Sequence, residues 1–252
     1  MTPIGGGCVM TRLNTMVANI AAENRRLHQK PPDKQAAHPF ITISREAGAG
    51  GEALVEKLLH TLRQRDPADP PWHGFDRELV EKVAEDHHLS RFLIESLEDR
   101  QYHWLRDLVL GFNSSQHWPS DTAVYRRVAK TIWALAKAGR VVIVGRGGVF
   151  FTKPLHGGIH IRLVAPFDYR VQRHAKAEGL TKHEAERAIR DIEQRRASFY
   201  KRFWPDRSLG PDNFTATFNT SLLDDAQIVE AIADLIPGLP HAAQRGQAKA
   251  AG

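Results

Sequence analysis

Four consecutive β-branched residues, Val141-Val142-Ile143-Val144, lie between a helical pattern and a glycine turn, and they limit the fold more tightly than any other stretch. A strand without a polar side has to be covered on both faces, which is the position of a strand inside a parallel sheet with helices above and below. Further runs, Ile41 to Ile43, Trp72 to Phe75, Ile159 to Ala165 and Phe214 to Asn219, read as strands, and helical repeats separate them. Strands alternating with helices from 40 to 236 predict a single α/β domain with a central parallel sheet.

The helices are marked by spacing and caps. Leu54, Val55, Leu58, Leu59 and Leu62 share one face, Asp76 can cap a helix bearing Leu79, Val80 and Val83, and Ser90 opens a stretch carrying Phe92 through Leu108. A helix from Asp121 to Gly139 precedes the buried strand, and Thr181-x-x-Glu184 is a capping box before an arginine-rich helix to about Phe203. Residues 1–38, with Gly5-Gly6-Gly7, a short helical stretch from Arg12 to Leu27 and Pro31-Pro32, read as a flexible leader. Residues 237–252 read as a flexible tail.

With 252 residues, 42% of them hydrophobic and 25% charged, the chain can bury one full-sized core. It contains no apolar run near the roughly 18 residues of a membrane span and no signal peptide, so the expectation is a cytoplasmic protein with no membrane partner. One cysteine, Cys8, excludes an internal disulfide or a cysteine metal cluster. The 13 histidines are scattered, and His87-His88 lacks further ligands at metal spacing. A net charge of +6, gathered mainly in the second half, implies an anionic partner without naming it.

Phe40 to Glu52, F-I-T-I-S-R-E-A-G-A-G-G-E, is a strand, a glycine turn and a helix start. Backbone N–H groups at such a start point outward and the helix dipole favours an anion there. Against G-x-x-x-x-G-K-[ST], the first glycine position holds Arg45, the second Gly50, the lysine position Gly51 and the hydroxyl position Glu52. The turn alone therefore reads equally as a phosphate site or as an empty βα turn. A second glycine turn, Gly145-Arg146-Gly147-Gly148, follows the buried strand, and in an open α/β sheet both turns open onto the same crevice. Arg146 there offers a fork suited to phosphate. Arg187, Asp191 and Arg195 fall on one face of the arginine-rich helix, either as phosphate ligands or as a salt-bridged solvated surface. Phe199, Tyr200, Phe203 and Trp204 between basic residues fit base stacking in a single-stranded nucleic acid, but packing of the helix end on the core is the favoured reading.

The ordered motifs I-T-I-S-R-E-x-G-A-G-G (41–51), F-D-R-E-L (75–79), Y-R-R-V (125–128), V-I-V-G-R-G-G (142–148), A-P-x-x-x-R-x-x-R (165–173), D-I-x-x-R-R (191–196) and F-N-T-S (218–221) resemble the cytidylate kinase-like family. The resemblance covers roughly 39–236 and implies a P-loop NTPase-like three-layer fold with a small helical lid at about 170–207. It also implies ATP and Mg2+, with transfer of the γ-phosphoryl group to a nucleoside monophosphate such as CMP or dCMP. Carried over, Ser44, Gly48, Ala49, Gly50, Gly51 and Glu52 hold the donor phosphates, and Asp76, Arg126, Gly145 and Arg146 surround the acceptor. Arg173, Arg187, Asp191 and Arg195 belong to the lid. In place of the absent lysine, Arg45 can reach across the turn, and Glu46 or Glu52 can stand in for the absent hydroxyl near the metal. Two other functions stay open: a nucleotide-sensing module without turnover, and an RNA-binding protein.

Overall fold

The computed structural model describes residues 6–28, 38–68, 70–95, 122–145 and 147–240. Five strands form one sheet: β1 (Phe40–Arg45), β2 (His73–Phe75), β3 (Val141–Val144), β4 (Gly158–Val164) and β5 (Ala216–Asn219). All neighbours are parallel, in the order β2-β3-β1-β4-β5. Nine α-helices are described: α1 (Gly6–His28), α2 (Glu52–Arg65), α3 (Arg77–Glu85), α4 (His87–Ile94), α5 (Thr122–Ala138), α6 (Gly148–Thr152), α7 (Phe167–Glu178), α8 (Lys182–Phe203) and α9 (Asp225–Asp234). The expected helix continuing from Ser90 toward Leu108 is described only to Ile94, and the rest lies outside the described residues.

The pleat of β3 divides the interior. Val141 and Ile143 join Phe40, Phe75, Ile132, Leu135 and Phe150 on one side of the sheet. Val142 and Val144 join Ile41, Ile43, Leu54, Leu58, Leu62, Ile228 and Ile232 on the other. Alternate β3 side chains thus bury against opposite helical layers, as its unbroken apolar run requires. The result is the expected three-layer α/β fold, a parallel sheet with helices on both faces.

The amino-terminal segment differs from the expected flexible leader. Leu13, Val17, Ile20 and Ala21 of α1 are buried in the first core, and Asn24 Nδ2 donates to Ala134 O of α5 at 3.2 Å. Glu23, also buried, meets His38 at 3.0 Å. Spacing of i, i+4, i+7 and i+8 gives α1 one apolar stripe, and α5 supplies the surface that covers it. At the other end Ile236 is buried and Leu239 packs against the second core, while 241–252 lie outside the described residues.

Helices α7 and α8 form a hairpin. Gly179 ends α7, and the Thr181–Glu184 capping box starts α8. Val171, Ala185 and Ile189, with Ala47 of the first glycine turn, make a small core of their own. The far end of α8 is fixed by aromatic packing: Phe203 lies 4.8 Å from Tyr125, and Trp204 lies 4.9 Å from both Phe150 and Phe151 between ring centroids.

Candidate phosphate-binding site

The strand order reverses at β1, so β1 and its neighbour β3 carry the two glycine turns to the same carboxyl edge of the sheet. In the first turn Gly50 and Gly51 have φ of +91° and +136°, backbone that a side chain resists. Gly51 is the N-cap of α2 and no side chain caps that helix. The first N–H groups of α2 therefore keep their capacity for an anion.

Two guanidinium groups lie over these glycines. A Cβ placed on Gly51 would be 2.5 Å from Arg45 Nη1, and one on Gly50 would be 2.5 Å from Arg173 Nη2. The Arg45 side chain has thus turned back from the end of β1 across the turn, to where a residue at the lysine position would begin. Arg173 is half-buried and 3.9 Å from Asp225.

The loop is braced from below. Arg170, buried, donates from Nε to Ala165 O and from Nη1 to Ala47 O, both at 2.9 Å, and from Nη1 to Glu193 Oε1 at 2.5 Å. Its backbone lies against Gly48. Thr220 Oγ1 donates to Ala49 O at 2.9 Å, which ties the turn to the end of β5. Glu46 accepts from Ala165 N at 3.2 Å and pairs with Arg170 at 3.5 Å and Arg162 at 3.8 Å. Of the two carboxylates expected near the metal, Glu46 is engaged in the brace. Glu52, exposed on the first turn of α2, is the remaining carboxylate of that expectation.

At the second turn, Gly145 N donates to Ile43 O at 2.9 Å, and a Cβ on Gly145 would meet nothing within 4 Å. Among the described residues nothing fills the space over this glycine. Arg146 lies outside the described residues. Asp76 is the N-cap of α3 and accepts from Leu79 N at 2.8 Å, and Arg126 is half-buried on α5.

Helix α8 turns a face other than the line 187-191-195 toward the sheet. Arg187, Asp191 and Arg195 are exposed. The inward line runs from Ile189, against Gly48, through Glu193, on Arg170, to Arg196, Tyr200 and Trp204. Arg196 Nη1 donates to Arg45 O at 2.7 Å. The Tyr200 side chain lies near the buried Ser44 and the Gly147 backbone, and Trp204 closes on Gly147. One helical stripe thus joins the ends of both turns. Burial pushes the Tyr200 hydroxyl above its ordinary value. Burial, then the charge of Arg45, pulls the Arg196 guanidinium below its ordinary value.

Among the described residues, no group of three or more His, Cys, Asp or Glu side chains is placed to hold a metal ion. The chain fits a Mg2+ carried by phosphate oxygens and water, with Glu52 an exposed carboxylate beside the turn, since Mg2+ commonly takes only one or two protein carboxylates. No described helix is long and apolar enough to cross a membrane.

The family model described as the cytidylate kinase-like family matches residues 40–222. Comparison with curated proteins gives no match. Among solved structures, an uncharacterized protein from Eubacterium ventriosum ATCC 27560 superposes with a TM-score of 0.59 at 17% identity, over 78% of this chain and 97% of that one. A shikimate kinase from Bacteroides thetaiotaomicron superposes with a TM-score of 0.41 at 15% identity, over 78% of this chain and 96% of that one, too loosely to carry an argument.

Proposed function

The chain belongs to the cytidylate kinase-like family, and from that premise we propose that it is a nucleotide kinase that moves the γ-phosphoryl group of ATP to a nucleoside monophosphate, CMP or dCMP. The observation that carries the reading is the Arg45 guanidinium folded over Gly51 at the uncapped start of α2. This cation lies beside the residue that stands at the lysine position of the ordinary loop.

In this mechanism the loop N–H groups and the start of α2 bind the donor phosphates, and Gly50 and Gly51 allow the oxygens to approach. Arg45 and Arg173 meet charge that spreads over the equatorial oxygens during transfer. Mg2+ held through water by Glu52 would supply charge neutralisation at the donor phosphates. The acceptor enters beside Gly145, on the side of Asp76 and Arg126, with Arg146 the next residue in the chain. Its ionised phosphate oxygen attacks the γ-phosphorus in line as the bond to the bridging oxygen breaks, leaving ADP and a nucleoside diphosphate. No protein base is required, because the attacking oxygen is already ionised. The α7–α8 hairpin is the lid, excluding water that would otherwise take the phosphoryl group.

ADP release with ATP, Mg2+ and a panel of monophosphates tests the reading. Release with CMP or dCMP above the other acceptors is expected. Saturable ATP binding with no release for any acceptor supports the module without turnover instead, and salt-sensitive binding of single strands without ATP supports the RNA reading.

A further inference from the structure

Helix α1 lies ahead of residues 40–222, which carry the family likeness, and no step of the mechanism uses it. Its stripe of Leu13, Val17, Ile20 and Ala21 is buried in the first core, and the helix packs on both α4 and α5. Two polar contacts fix its end. Asn24, fully buried, donates from Nδ2 to Ala134 O of α5 at 3.2 Å, and the buried Glu23 carboxylate meets His38 Nε2 at 3.0 Å. His38 lies against Gly139, just past the end of α5. From Leu13 to Asn24 the helix rises about 16 Å, so α1 grips its neighbours over several turns.

Helix α5 joins the acceptor side together. Near its start three consecutive residues reach three places: Tyr125 lies 5.5 Å and 4.8 Å from Phe199 and Phe203 of α8 between ring centroids, Arg126 is on the acceptor side, and Arg127 Nε donates to Ala84 O of α3 at 3.1 Å. Helix α3 is the one that Asp76 caps. The first glycine turn has other supports, because Ala49 belongs to the second core with α2 and α9, and Arg170 holds Ala47 O.

We infer that α1 is a positioning element for the acceptor: through Asn24 and the stripe around Ile20 it seats α5 on the core, and so sets where Arg126 and Asp76 stand relative to the donor turn. The inference rests on the kinase reading for the role of those two residues. Interiors are close-packed, so a void opened under α1 is met by movement of the helices around it. A small misplacement of a substrate-holding group is costly in a transfer that depends on positioning.

The test compares wild type with Ile20→Ala, Ile20→Val, Asn24→Ala and Ile232→Ala, the last opening a void of the same chemistry in the second core. ADP release gives KM for CMP and for ATP at a temperature where every variant is folded, and hydrogen exchange read by mass spectrometry follows each helix without need of turnover. Ile20→Ala and Asn24→Ala should raise the CMP KM by about two- to thirtyfold with the ATP KM held. They should also speed exchange in α3 and α5 more than in α2 and α9. Ile20→Val should recover most of both effects. Ile232→Ala should reverse the exchange pattern and leave the CMP KM as in wild type. A CMP KM unmoved by Ile20→Ala and Asn24→Ala, or moved equally by Ile232→Ala, would overturn the inference. If no acceptor releases ADP from wild type while exchange in α3 and α5 follows only the α1 variants, the kinase reading falls and the seating of α5 by α1 stands. If wild type turns over CMP and neither its KM nor that exchange responds to the α1 variants, the kinase reading stands and the inference falls.

Discussion

Replacing Arg170 with methionine isolates the brace beneath the first glycine turn. The guanidinium donates to two backbone carbonyls, Ala165 O and Ala47 O, and to the Glu193 carboxylate. A hydrogen bond from a charged donor contributes about 1.5–3 kcal/mol, and taking the low end for each carbonyl gives about 3 kcal/mol. Glu193 is 36% exposed, so solvent screening holds that ion pair to about 1 kcal/mol or less. Methionine fills much of the volume and leaves the carbonyls unmet. Arg170→Met should therefore cost about 3–4 kcal/mol in urea unfolding, or about 6–16 °C in Tm for a chain of this size. Arg170→Lys, a point charge unable to reach all three acceptors, should recover only part. ATP affinity should fall in parallel, because Ala47 belongs to the turn. A loss below about 1 kcal/mol for Arg170→Met would refute the account of the brace.

Three further outcomes are expected. Ile20→Ala, in the buried stripe of α1, should cost about 2–4 kcal/mol by chemical denaturation, whereas a leader residue would cost almost nothing. His160 is held neutral by burial, then by Lys153, with its pKa lowered to about 4; the unfolded chain takes up its proton near 6.5, so stability falls as pH drops from 6.5 to 4, by up to about 3 kcal/mol, and His160→Gln should flatten that limb. Gly51→Ala strains the backbone by about 1–3 kcal/mol and displaces Arg45, so its loss of ATP affinity should not add to that of Arg45→Ala in a double-mutant cycle.

The sheet was legible because β1 and β4 carry apolar or alternating runs bounded by turn residues, and Val141 to Val144 could only be an interior strand. Two features were hidden for physical reasons. The burial of α1 depends on a surface of α5 more than a hundred residues away, and the glycines and prolines flanking it suggest a linker. On α8, a four-residue repeat of charge fits the outer line 187-191-195 as well as the inner line through 196 and 200. The buried Ala185 and Ile189 are the signal that selects the inner line, and extending their stripe forward reaches Arg196 and Tyr200. The path of the Arg45 side chain is a choice of rotamer over a glycine, which a sequence pattern does not encode.

The central claim is that Arg45 supplies the donor-site cation in a loop without lysine. Calorimetric titration of ATP with Mg2+ into wild type and Arg45→Ala addresses it most directly. The account predicts saturable binding to wild type and a loss of about tenfold or more in the variant, the worth of one charge-assisted contact to phosphate. Equal ATP affinity in the two proteins would contradict it.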